Sequence, residues 1–363
     1  MKIVILGAGI TGLAAGYKTR GTIYEAEGSP GGICRSYYDN GYRFEKGGGH
    51  WIFGADLEVM DFLMQFASFI PYKRNAGVYI NKTFPYPIQK YFDIEEAVDV
   101  GTMQSWLRDR FGSAMCRLFF YPFNEKYTAG LYDKIAPQDA FKNPTRGEGY
   151  NDTFLYPELG LDSMIDTIAR GIDIRYHKKA VSINPDEKMI YFDDGDSRRY
   201  EQLISTLPLN TMARLLNVKD KLPYTSTVVL NIGATPGRNF PREHWLYIPY
   251  CKSGFHRVGF YSNVHRSFAP PNRVGLYVEW AYTKNVPDFS YTFQELTDWG
   301  FIKKVERSSF NLTEVAYTWE HTNSNEAESL LSMISDCRIR QIGRYGQWHF
   351  QGIAESIREG LEC

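Results

Sequence analysis

Three glycines follow a short apolar strand near the start of the chain, at a spacing that suits a dinucleotide. The sequence KIVILGAGITGLAAGYKT places Gly7, Gly9 and Gly12 between this strand and an alanine-rich helix. The first glycine permits the tight turn, the second lets the backbone approach a pyrophosphate, and the third lets the helix pack on the strand. The helix N-terminus offers N–H donors and a positive dipole end to phosphate. The sequence therefore predicts a dinucleotide-binding unit; a purely structural glycine turn is the alternative.

A carboxylate and a second glycine pair follow this unit. Glu25 ends the next predicted strand, about 20 residues after the glycine turn, where a carboxylate accepts hydrogen bonds from ribose hydroxyls. No basic residue stands beside it to bind a 2′-phosphate. Gly31, Gly32 and Arg35 come shortly afterwards in YEAEGSPGGICRS.

This continuation resembles the E-x6-GG element of a flavoprotein superfamily that includes amine oxidases, protoporphyrinogen oxidase and UDP-galactopyranose mutase. In that superfamily the glycine pair lies beside the phosphates and ribityl chain of FAD. The resemblance gives this part to Gly31, Gly32 and Arg35. Rossmann enzymes that bind only NAD lack the extension, so we predict FAD as the cofactor.

Two later segments also resemble flavin-binding elements of the superfamily. In the segment from Asp173 to Leu209, Val181 is expected against the adenine. The tail GRYGQWHFQGIAESIREGLE is expected to place Arg344 near the flavin ring. A helix beginning near Gly352 and Ile353 would aim its N–H groups at the flavin carbonyls, where they would stabilise negative charge on a reduced flavin. A plain terminal amphipathic helix is the alternative for the tail.

Within the superfamily, EKGGGHWIFG, FPYPIQKYF, HWLYIPYCKSGFHRVGFYSN and GRYGQWHF resemble UDP-galactopyranose mutase. That family uses reduced FAD as a covalent nucleophile: a flavin–sugar adduct forms, opens and recloses, so that a pyranose becomes a furanose without net redox change. The protein must orient the sugar and neutralise the departing diphosphate.

The resemblance implies three catalytic residues. Arg257 matches an arginine that binds the diphosphate, and an arginine fork suits paired phosphate oxygens. Arg146 is a candidate for a second clamp, and His50 matches the histidine of a mobile loop over the flavin. The alternatives are a solvent-facing strand position for Arg257, an exposed loop for Arg146 and a structural role for His50.

Four further residues are implied on the substrate side. Gln89 matches a residue that hydrogen-bonds uracil, and Trp245 and Tyr247 match aromatics of the substrate pocket. Asn124 matches an asparagine near the sugar. Core packing or a local hydrogen bond is the alternative for Gln89, Trp245 and Tyr247.

The sequence departs from the family on the substrate side alone. Thr128 stands where the family has tryptophan, and Val264 and Phe350 replace tyrosines that bind diphosphate. No clear tyrosine equivalent stands around TWEHTNSNEAES, although Tyr317 is nearby. These departures argue against UDP-galactose itself as the substrate. The alternatives are a different sugar, a sugar carried on another nucleotide, and an FAD enzyme that acts outside sugar chemistry.

The favoured function is an FAD-dependent nucleotide-sugar mutase that is active with reduced FAD, with NAD(P)H or a reductase as the electron source. The alternative is an FAD-dependent oxidoreductase resembling protoporphyrinogen oxidase or the amine oxidases and acting on a small molecule. A third class is a flavin-binding scaffold without chemistry.

The predicted fold class is α/β: a Rossmann-like FAD-binding domain with an inserted helical region and a mostly antiparallel β-sheet region. We predict that the pocket lies where the three meet. The FAD-binding domain is predicted at residues 1–70, 151–218 and 318–363, the sheet domain at 71–89 and 219–317, and the helical insert at 90–150.

Composition narrows the function classes further. Lys and Arg number 41 against 42 Asp and Glu, which argues against a nucleic-acid binder. The five cysteines form no CxxC pair, so we expect reduced thiols and no metal. No apolar stretch reaches the roughly 20 residues that a membrane span requires. With no signal peptide predicted either, we expect a cytoplasmic protein. The sequence is compatible with a monomer or an oligomer.

Overall fold

A parallel β-sheet forms the centre of the molecule. The computed structural model describes residues 2–88, 101–138 and 152–363. The sheet is entirely parallel and runs in the order β10-β2-β1-β14-β20. Its strands are β1 (Ile3–Leu6), β2 (Thr22–Tyr24), β10 (Ile174–Arg175), β14 (Gln202–Ser205) and β20 (Ile339–Gln341).

Both faces of this sheet are covered, as continuous apolar strands such as β1 require. Ile5 packs into one hydrophobic core and its neighbours Val4 and Leu6 pack into another, because successive side chains of a strand point to opposite faces. The helices of these two layers are α1 (Ile10–Thr19), α5 (Leu161–Ala169) and α10 (Ile353–Leu361) on one face, and α6 (Leu209–Leu215) and α9 (Glu326–Asp336) on the other.

A second, seven-stranded sheet lies beside the first. Its order is β19-β15-β18-β17-β16-β7-β8, and every pair is antiparallel except β16 with β7. The strands are β7 (Ala76–Tyr79), β8 (Thr83–Pro85), β15 (Tyr224–Pro236), β16 (Trp245–Tyr247), β17 (Arg257–Gly259), β18 (Val274–Tyr282) and β19 (Ile302–Thr318).

The run RVGFYSN, which alternation predicts as one strand, is divided in the structure. β17 ends at Gly259, and the short helix α7 (Tyr261–Val264) follows. The chain turns here because Phe260 N–H donates to the carbonyl of His244 and Ser262 Oγ accepts from Gly275 N–H. The strand prediction is therefore wrong for the second half of this run.

The helical insert contains α3 (Met103–Met115), a π-helical turn at Cys116–Phe120, α4 (Tyr121–Tyr127) and a 3₁₀ turn at Leu131–Asp133. Thr102 caps α3 by accepting a hydrogen bond from Ser105 N–H. The buried residues of α3 recur at three- and four-residue intervals and form one apolar face: Met103, Trp106, Leu107, Phe111 and Met115.

Smaller elements connect these parts. They are the hairpin β3 (Ser36–Asp39) and β4 (Tyr42–Glu45), the sheet β5-β9-β6 (Ile52–Phe53, Thr153–Pro157, Phe69–Lys73), the sheet β11-β12-β13 (Ala180–Asn184, Met189–Phe192, Ser197–Arg199), and helices α2 (Leu57–Leu63) and α8 (Thr292–Asp298).

The predicted fold class is confirmed: a Rossmann-like α/β unit is combined with antiparallel sheet regions. All strands of the parallel sheet lie inside the segments predicted as the FAD-binding domain. Two other strands cross predicted boundaries: β6 runs across the one after residue 70, and β19 crosses the one after residue 317 by a single residue. The boundaries themselves remain predictions. Among the helices of the described part, none combines the length and apolar character needed to cross a membrane.

Candidate functional site

A cavity of about 670 Å³ opens where the two sheets and the helical insert meet. The glycine turns Gly7–Gly9 and Gly31–Gly32 form one end of its wall. Strands β16, β17 and β18 supply polar and aromatic side chains, and the helical insert supplies an apolar side containing Trp106, Phe119 and Phe123. The parallel sheet thus presents its carboxyl-terminal edge to the cavity, which is where α/β folds usually bind ligands.

The glycine turn has the geometry of a phosphate site. A Cβ at Gly9 would meet no atom within 4 Å, so the backbone there borders open space. A Cβ at Gly12 would lie 1.9 Å from the Gly7 carbonyl oxygen, so only glycine lets α1 approach the turn this closely. Glu25 lies outside the cavity lining and braces the turn, since its Oε2 accepts a hydrogen bond from Ala8 N–H at 2.6 Å.

The C-terminal segment reaches the same cavity. Arg344, Gly352 and Ile353 line it, and α10 begins at Ile353. Arg344 donates to the carbonyls of Gln351 and Ala316, both at 3.1 Å. Its Nε is buried without a hydrogen-bond partner among the described residues. This segment therefore brings a cation and a helix N-terminus to the cavity.

Besides Glu25, which was expected to bind the ribose, two other residues expected at the cofactor lie outside the cavity lining. Arg35 does not line the cavity; its Nη1 pairs with Asp166 Oδ1 at 2.7 Å and also donates to the Pro30 carbonyl at 3.2 Å. Val181, on β11, is 50% exposed and also lies outside the cavity lining. The Arg35 side chain nevertheless packs against the second glycine turn, because a Cβ at Gly31 would lie 3.0 Å from its Cγ. Its guanidinium is held by Asp166 and the Pro30 carbonyl, and neither Arg35 nor Val181 is part of the cavity lining.

A charged cluster stands in the sheet wall. Tyr247, Arg257 and Glu279 occupy one cross-strand row on β16, β17 and β18, so their side chains share a face. Arg257 Nε donates to Glu279 Oε2 at 3.1 Å, and its Nη2 contacts the same oxygen. Tyr317 OH donates to Glu279 Oε1 at 2.5 Å and accepts from Arg257 Nη2 at 3.3 Å. The cluster fixes the guanidinium at the cavity.

Glu279 is ionised in this cluster. Burial by itself would raise the pKa of its carboxyl, but the Arg257 charge and contacts from His256 and Tyr317 hold that pKa well below its usual range. Burial and the nearby carboxylate raise the pKa of the Tyr317 hydroxyl well above 10, so it remains a donor. The cluster thus contains an ion pair between Arg257 and Glu279 near neutral pH.

His50 lies in the loop that follows β4 and lines the cavity. Its Nδ1 is 3.3 Å from the Gly48 carbonyl oxygen, a contact that the neutral ring makes by donating Nδ1–H. Burial, with the positive charges of Arg344 and Arg257, lowers the pKa of His50 to about 4, so the imidazole is neutral near pH 7.

The substrate-side candidates divide into two groups. Asn124, Trp245 and Tyr247 all line the cavity. Asn124 Nδ2 donates to the Phe120 carbonyl at 2.8 Å. In the cavity lining, this amide adds a polar side chain next to the phenylalanines of the insert. Gln89 and Arg146 lie outside the described residues.

Comparisons with known proteins agree with this architecture. Residues 5–66 match a family model described as an NAD(P)-binding Rossmann-like domain, and residues 79–246 match one described as flavin containing amine oxidoreductase. The structure of reduced UDP-galactopyranose mutase is 23% identical, with a TM-score of 0.86, and the match covers 99% of this chain and 94% of that one.

Two other solved structures share the fold at lower similarity. A provisional protoporphyrinogen oxidase from Exiguobacterium sp. 255-15 is 15% identical, with a TM-score of 0.75 and coverage of 99% and 97%. A fatty acid isomerase from P. acnes that produces CLA is 14% identical, with a TM-score of 0.67 and the same coverage. These likenesses establish the fold, which hosts several chemistries.

The chain has the fold of the flavin-dependent oxidoreductase and mutase superfamily. The superfamily recognised from the sequence is thereby confirmed.

The residues that line this cavity fit FAD. The open space at Gly9, the cavity running from Gly31 and Gly32 to Arg344, and the start of α10 at Ile353 together match a dinucleotide with its flavin at the C-terminal segment. FAD as cofactor is supported by this fit, by both family models and by the fold. The described residues contain no cluster of three metal-ligating side chains.

Several residues that line the cavity were not predicted from the sequence. Glu279 carried a signal, because it is a lone carboxylate in the apolar strand VGLYVEWAY. Arg74 is 6% exposed, lines the cavity and stacks 4.7 Å from the Tyr86 ring centroid, yet nothing in YKRNAGVY marks it. His256 stood inside a quoted motif beside Arg257, but only the structure brings its ring to Glu279.

The departures from the mutase pattern occupy different places. Thr128 is buried and donates to the Asn124 carbonyl at 2.7 Å, so it supports the turn after α4. Val264 packs in a core and does not line the cavity. Phe350 lines the cavity 4.4 Å from the Arg344 guanidinium, where a tyrosine would add a hydroxyl.

Proposed function

We propose that this protein is an FAD-dependent nucleotide-sugar mutase that interconverts the pyranose and furanose forms of an NDP-sugar. The observation that carries the proposal is Arg257, whose guanidinium is fixed in the wall of the flavin cavity by Glu279 and Tyr317. A fixed cation in a partly enclosed cavity stabilises a leaving diphosphate more strongly than it would in water. The fold of reduced UDP-galactopyranose mutase supports the same reading.

FAD, bound in its reduced form, supplies the nucleophile toward the anomeric carbon in this proposal. Arg257 binds the diphosphate and takes up the charge that develops as the anomeric bond to it breaks. Trp245 and Tyr247, on the neighbouring strand, form an aromatic platform that orients the sugar. His50 stays neutral and orients the cavity loop rather than acting as an acid, because its pKa of about 4 leaves it without an exchangeable positive charge near pH 7.

Asn124 completes the proposed substrate contacts, as an amide that recognises a polar edge among the phenylalanines of the insert. Gln89 and Arg146 remain proposed contacts to the base and to the diphosphate. NAD(P)H or a reductase is the proposed electron source, and a cytoplasmic location is proposed. The sugar is proposed to differ from galactose or to be carried on a nucleotide other than UDP.

The decisive experiment follows ring size. FAD-loaded protein, reduced with dithionite under nitrogen, is incubated with a panel of NDP-sugars, and the products are followed by NMR and mass spectrometry. A mutase converts one member to an isomer of equal mass and different ring size, without net consumption of reductant, and is silent when the flavin is oxidised. If no panel member changes ring size under reducing conditions, the proposal fails.

An FAD-dependent oxidoreductase is the second candidate, and one observation favours it. Met103, Trp106, Leu107, Phe119 and Phe120 make the insert side of the cavity apolar, which suits a hydrophobic or amine substrate better than a sugar. The match of residues 79–246 to the amine oxidoreductase family model points the same way. Oxygen consumption and bleaching of the flavin on addition of an amine, a fatty acid or a porphyrinogen would support this alternative. A scaffold without chemistry would respond in neither assay.

A further inference from the structure

His256 is a buried histidine in the wall of the flavin cavity that the mechanism above does not use. It is 1% exposed, lies next to Arg257, and lines the cavity. Its Nε2 is 3.3 Å from Glu279 Oε1, yet neither ring nitrogen has a well-aligned hydrogen-bond partner among the described residues. Nδ1 therefore keeps a free lone pair if Nε2–H faces the carboxylate. A buried polar atom without a hydrogen-bond partner needs an explanation, such as a role in binding a ligand or a proton.

The rings around His256 come from the helical insert. The Phe123 and Tyr127 rings pack edge-on against the imidazole, with centroids at 6.0 and 5.4 Å. Lys126, on the same helix α4, donates to the Phe255 carbonyl at 2.8 Å and adds a positive charge near the ring. Helix α4 thus contributes one cation and an apolar enclosure.

The sheet contributes the other charges that face the ring. Glu279 on β18 is negative and Arg257 on β17 is positive, while burial raises the pKa of the Tyr317 hydroxyl on β19 and of the Tyr277 hydroxyl on β18, so both are neutral. Tyr247 on β16 adds a further hydroxyl to the cavity wall. Glu279 and Arg257 compensate each other, so in the free protein no net negative charge is left to stabilise an imidazolium. Burial, with the charges of Arg257 and Lys126, accordingly lowers the pKa of His256, although Glu279 opposes this.

We propose that His256 takes up a proton from solvent when a diphosphate group settles against Arg257, and so acts as a positioning residue selective for doubly charged phosphate ligands. The inference rests on the proposed function, because it requires a nucleoside diphosphate in this cavity. The proton adds to the free imidazole lone pair, the contact with Glu279 becomes charge-assisted, and no other bond changes.

The size of the effect follows from charge. At an effective dielectric constant of about 20, a unit negative charge about 5 Å away favours the protonated imidazole on the order of 100-fold. A diphosphate carries at least two such charges. Its arrival therefore raises the pKa of His256 and favours the imidazolium, and a singly charged ligand gives a smaller response.

The linkage has a definite sign. Because the ligand raises the pKa of His256, affinity is greatest at low pH and falls by up to tenfold per pH unit between the free and bound pKa values. The ligand's own terminal phosphate, with a pKa of about 6, contributes an opposite slope. That slope is common to the wild-type protein and its variants, so the difference between their pH profiles isolates His256.

The test is calorimetric. UDP, GDP, dTDP and CDP are titrated in turn into FAD-loaded protein at pH 7.5, in buffers of different ionisation enthalpy, so that the slope of the observed enthalpy gives the protons bound per nucleotide. The wild-type protein is expected to take up close to one proton per nucleotide more than the H256Q variant, and to lose affinity more steeply as the pH rises. The matched control is H265Q, since His265 is partly exposed and outside the cavity lining; it should behave as wild type.

A second measurement uses only the wild-type protein, so that the test does not depend on the folding of H256Q. Histidine-labelled wild-type protein is examined by ¹H–¹⁵N NMR with and without the nucleotide that binds best, and one buried imidazole should change from neutral to doubly protonated. Nucleotide binding with equal proton uptake in wild type and H256Q, or with no change in any imidazole, overturns this inference and leaves the proposed function standing. If none of the four nucleotides binds, the proposed function and this inference both fail.

Discussion

Arg257 meets the cavity with part of its hydrogen-bonding capacity already used. Its Nε and Nη2 are held by Glu279, and Tyr317 contacts the same Nη2. The guanidinium plane is therefore already fixed, and its remaining N–H donors can bind a ligand without further loss of side-chain freedom. A preorganised cation of this kind lowers the cost of charge development. Since Glu279 accepts from both neighbours, loss of this carboxylate would release the arginine as well as the tyrosine.

Replacing Arg257 by alanine is expected to lower kcat/KM for the ring-size change by at least ~10²-fold, because the departing diphosphate loses its fixed cation. Progress is followed by NMR with the NDP-sugar identified from the panel. Arg273→Ala is the matched control. Arg273 Nε pairs with Glu306 Oε1 at a distance of 2.6 Å, and Arg273 is not part of the cavity lining. An Arg257→Ala rate equal to that of Arg273→Ala would remove the role assigned to Arg257.

Glu45 is a buried carboxyl outside the cavity lining, so we expect it to affect stability rather than chemistry. It ends β4 directly before the His50 loop, is fully buried, and accepts hydrogen bonds from Ser36 Oγ at 3.0 Å and from Tyr156 OH. Burial raises the pKa of its carboxyl to about 7, although the hydrogen bonds from Tyr156 and Ser36 and the charge of Arg43 oppose the shift. A neutral carboxyl is therefore preferred in the folded protein up to that pH.

Because the pKa of Glu45 is raised on folding, its stabilising contribution is complete below pH 4.5 and is lost as the pH rises through 7. The loss amounts to about 3 kcal/mol. In Glu45→Gln, which cannot ionise, the free energy of unfolding should not show this decline between pH 5 and pH 8, as measured by urea denaturation. Glu187→Gln, in an exposed turn, is the control. Parallel pH profiles for wild type and Glu45→Gln would contradict the assignment.

In the turn between β1 and α1, glycine is required for two different reasons, helix packing and ligand binding. Gly12 is required by packing, because a Cβ there would overlap the Gly7 carbonyl at 1.9 Å. Gly9 is required by the ligand alone, because a Cβ there meets open space and its φ of −63° suits any residue. The two positions can therefore be distinguished by experiment.

Gly9→Ala is expected to leave the melting temperature of the FAD-free protein within about 2 °C of wild type but to weaken FAD binding at least tenfold, since its methyl group occupies the pyrophosphate approach. Gly12→Ala is expected to destabilise the FAD-free protein, because α1 must move off β1. Thermal melts and flavin fluorescence give the two readouts. Gly171→Ala, in open space far along the chain, is the control. A Gly9→Ala protein with wild-type FAD affinity would argue against the pyrophosphate site.

For the whole molecule, the cavity depends on segments that are distant in the chain. The glycine turns come from the first 32 residues, the charged cluster from β17, β18 and β19, and Arg344 and α10 from the C-terminal segment. A ligand that spans these parts links them, so its binding free energy adds to the stability of all three.

Hydrogen–deuterium exchange should report this linkage. On loading with FAD, amides of residues 7–12, 31–34 and 343–354 are expected to exchange at least fivefold more slowly, since one ligand holds them together. Residues 292–298, on the far helix α8, serve as the internal reference. Slower exchange at 180–184 would support the adenine contact expected for Val181, whose side chain lies outside the cavity lining. Protection confined to the glycine turns would indicate that the C-terminal segment does not bind the flavin.

The sequence by itself determined the dinucleotide unit, because Gly7, Gly9 and Gly12 mark a tight turn and a close helix approach that depend on the local backbone. The cofactor and the fold class followed from the resemblance of the glycine pair after Glu25, and of later segments, to a flavoprotein superfamily. The helical insert was equally readable, because apolar residues at three- and four-residue spacing define its buried face.

Only the tertiary structure decided which side chains share the cavity. Arg257 and Glu279 meet through strand register, and Tyr317 joins them from β19, a strand that is not adjacent to either β17 or β18 in the sheet. His256 and Glu45 owe their pKa values to burial by distant segments. Register and burial are properties of long-range packing, and neither alternation nor motif spacing along one strand encodes them.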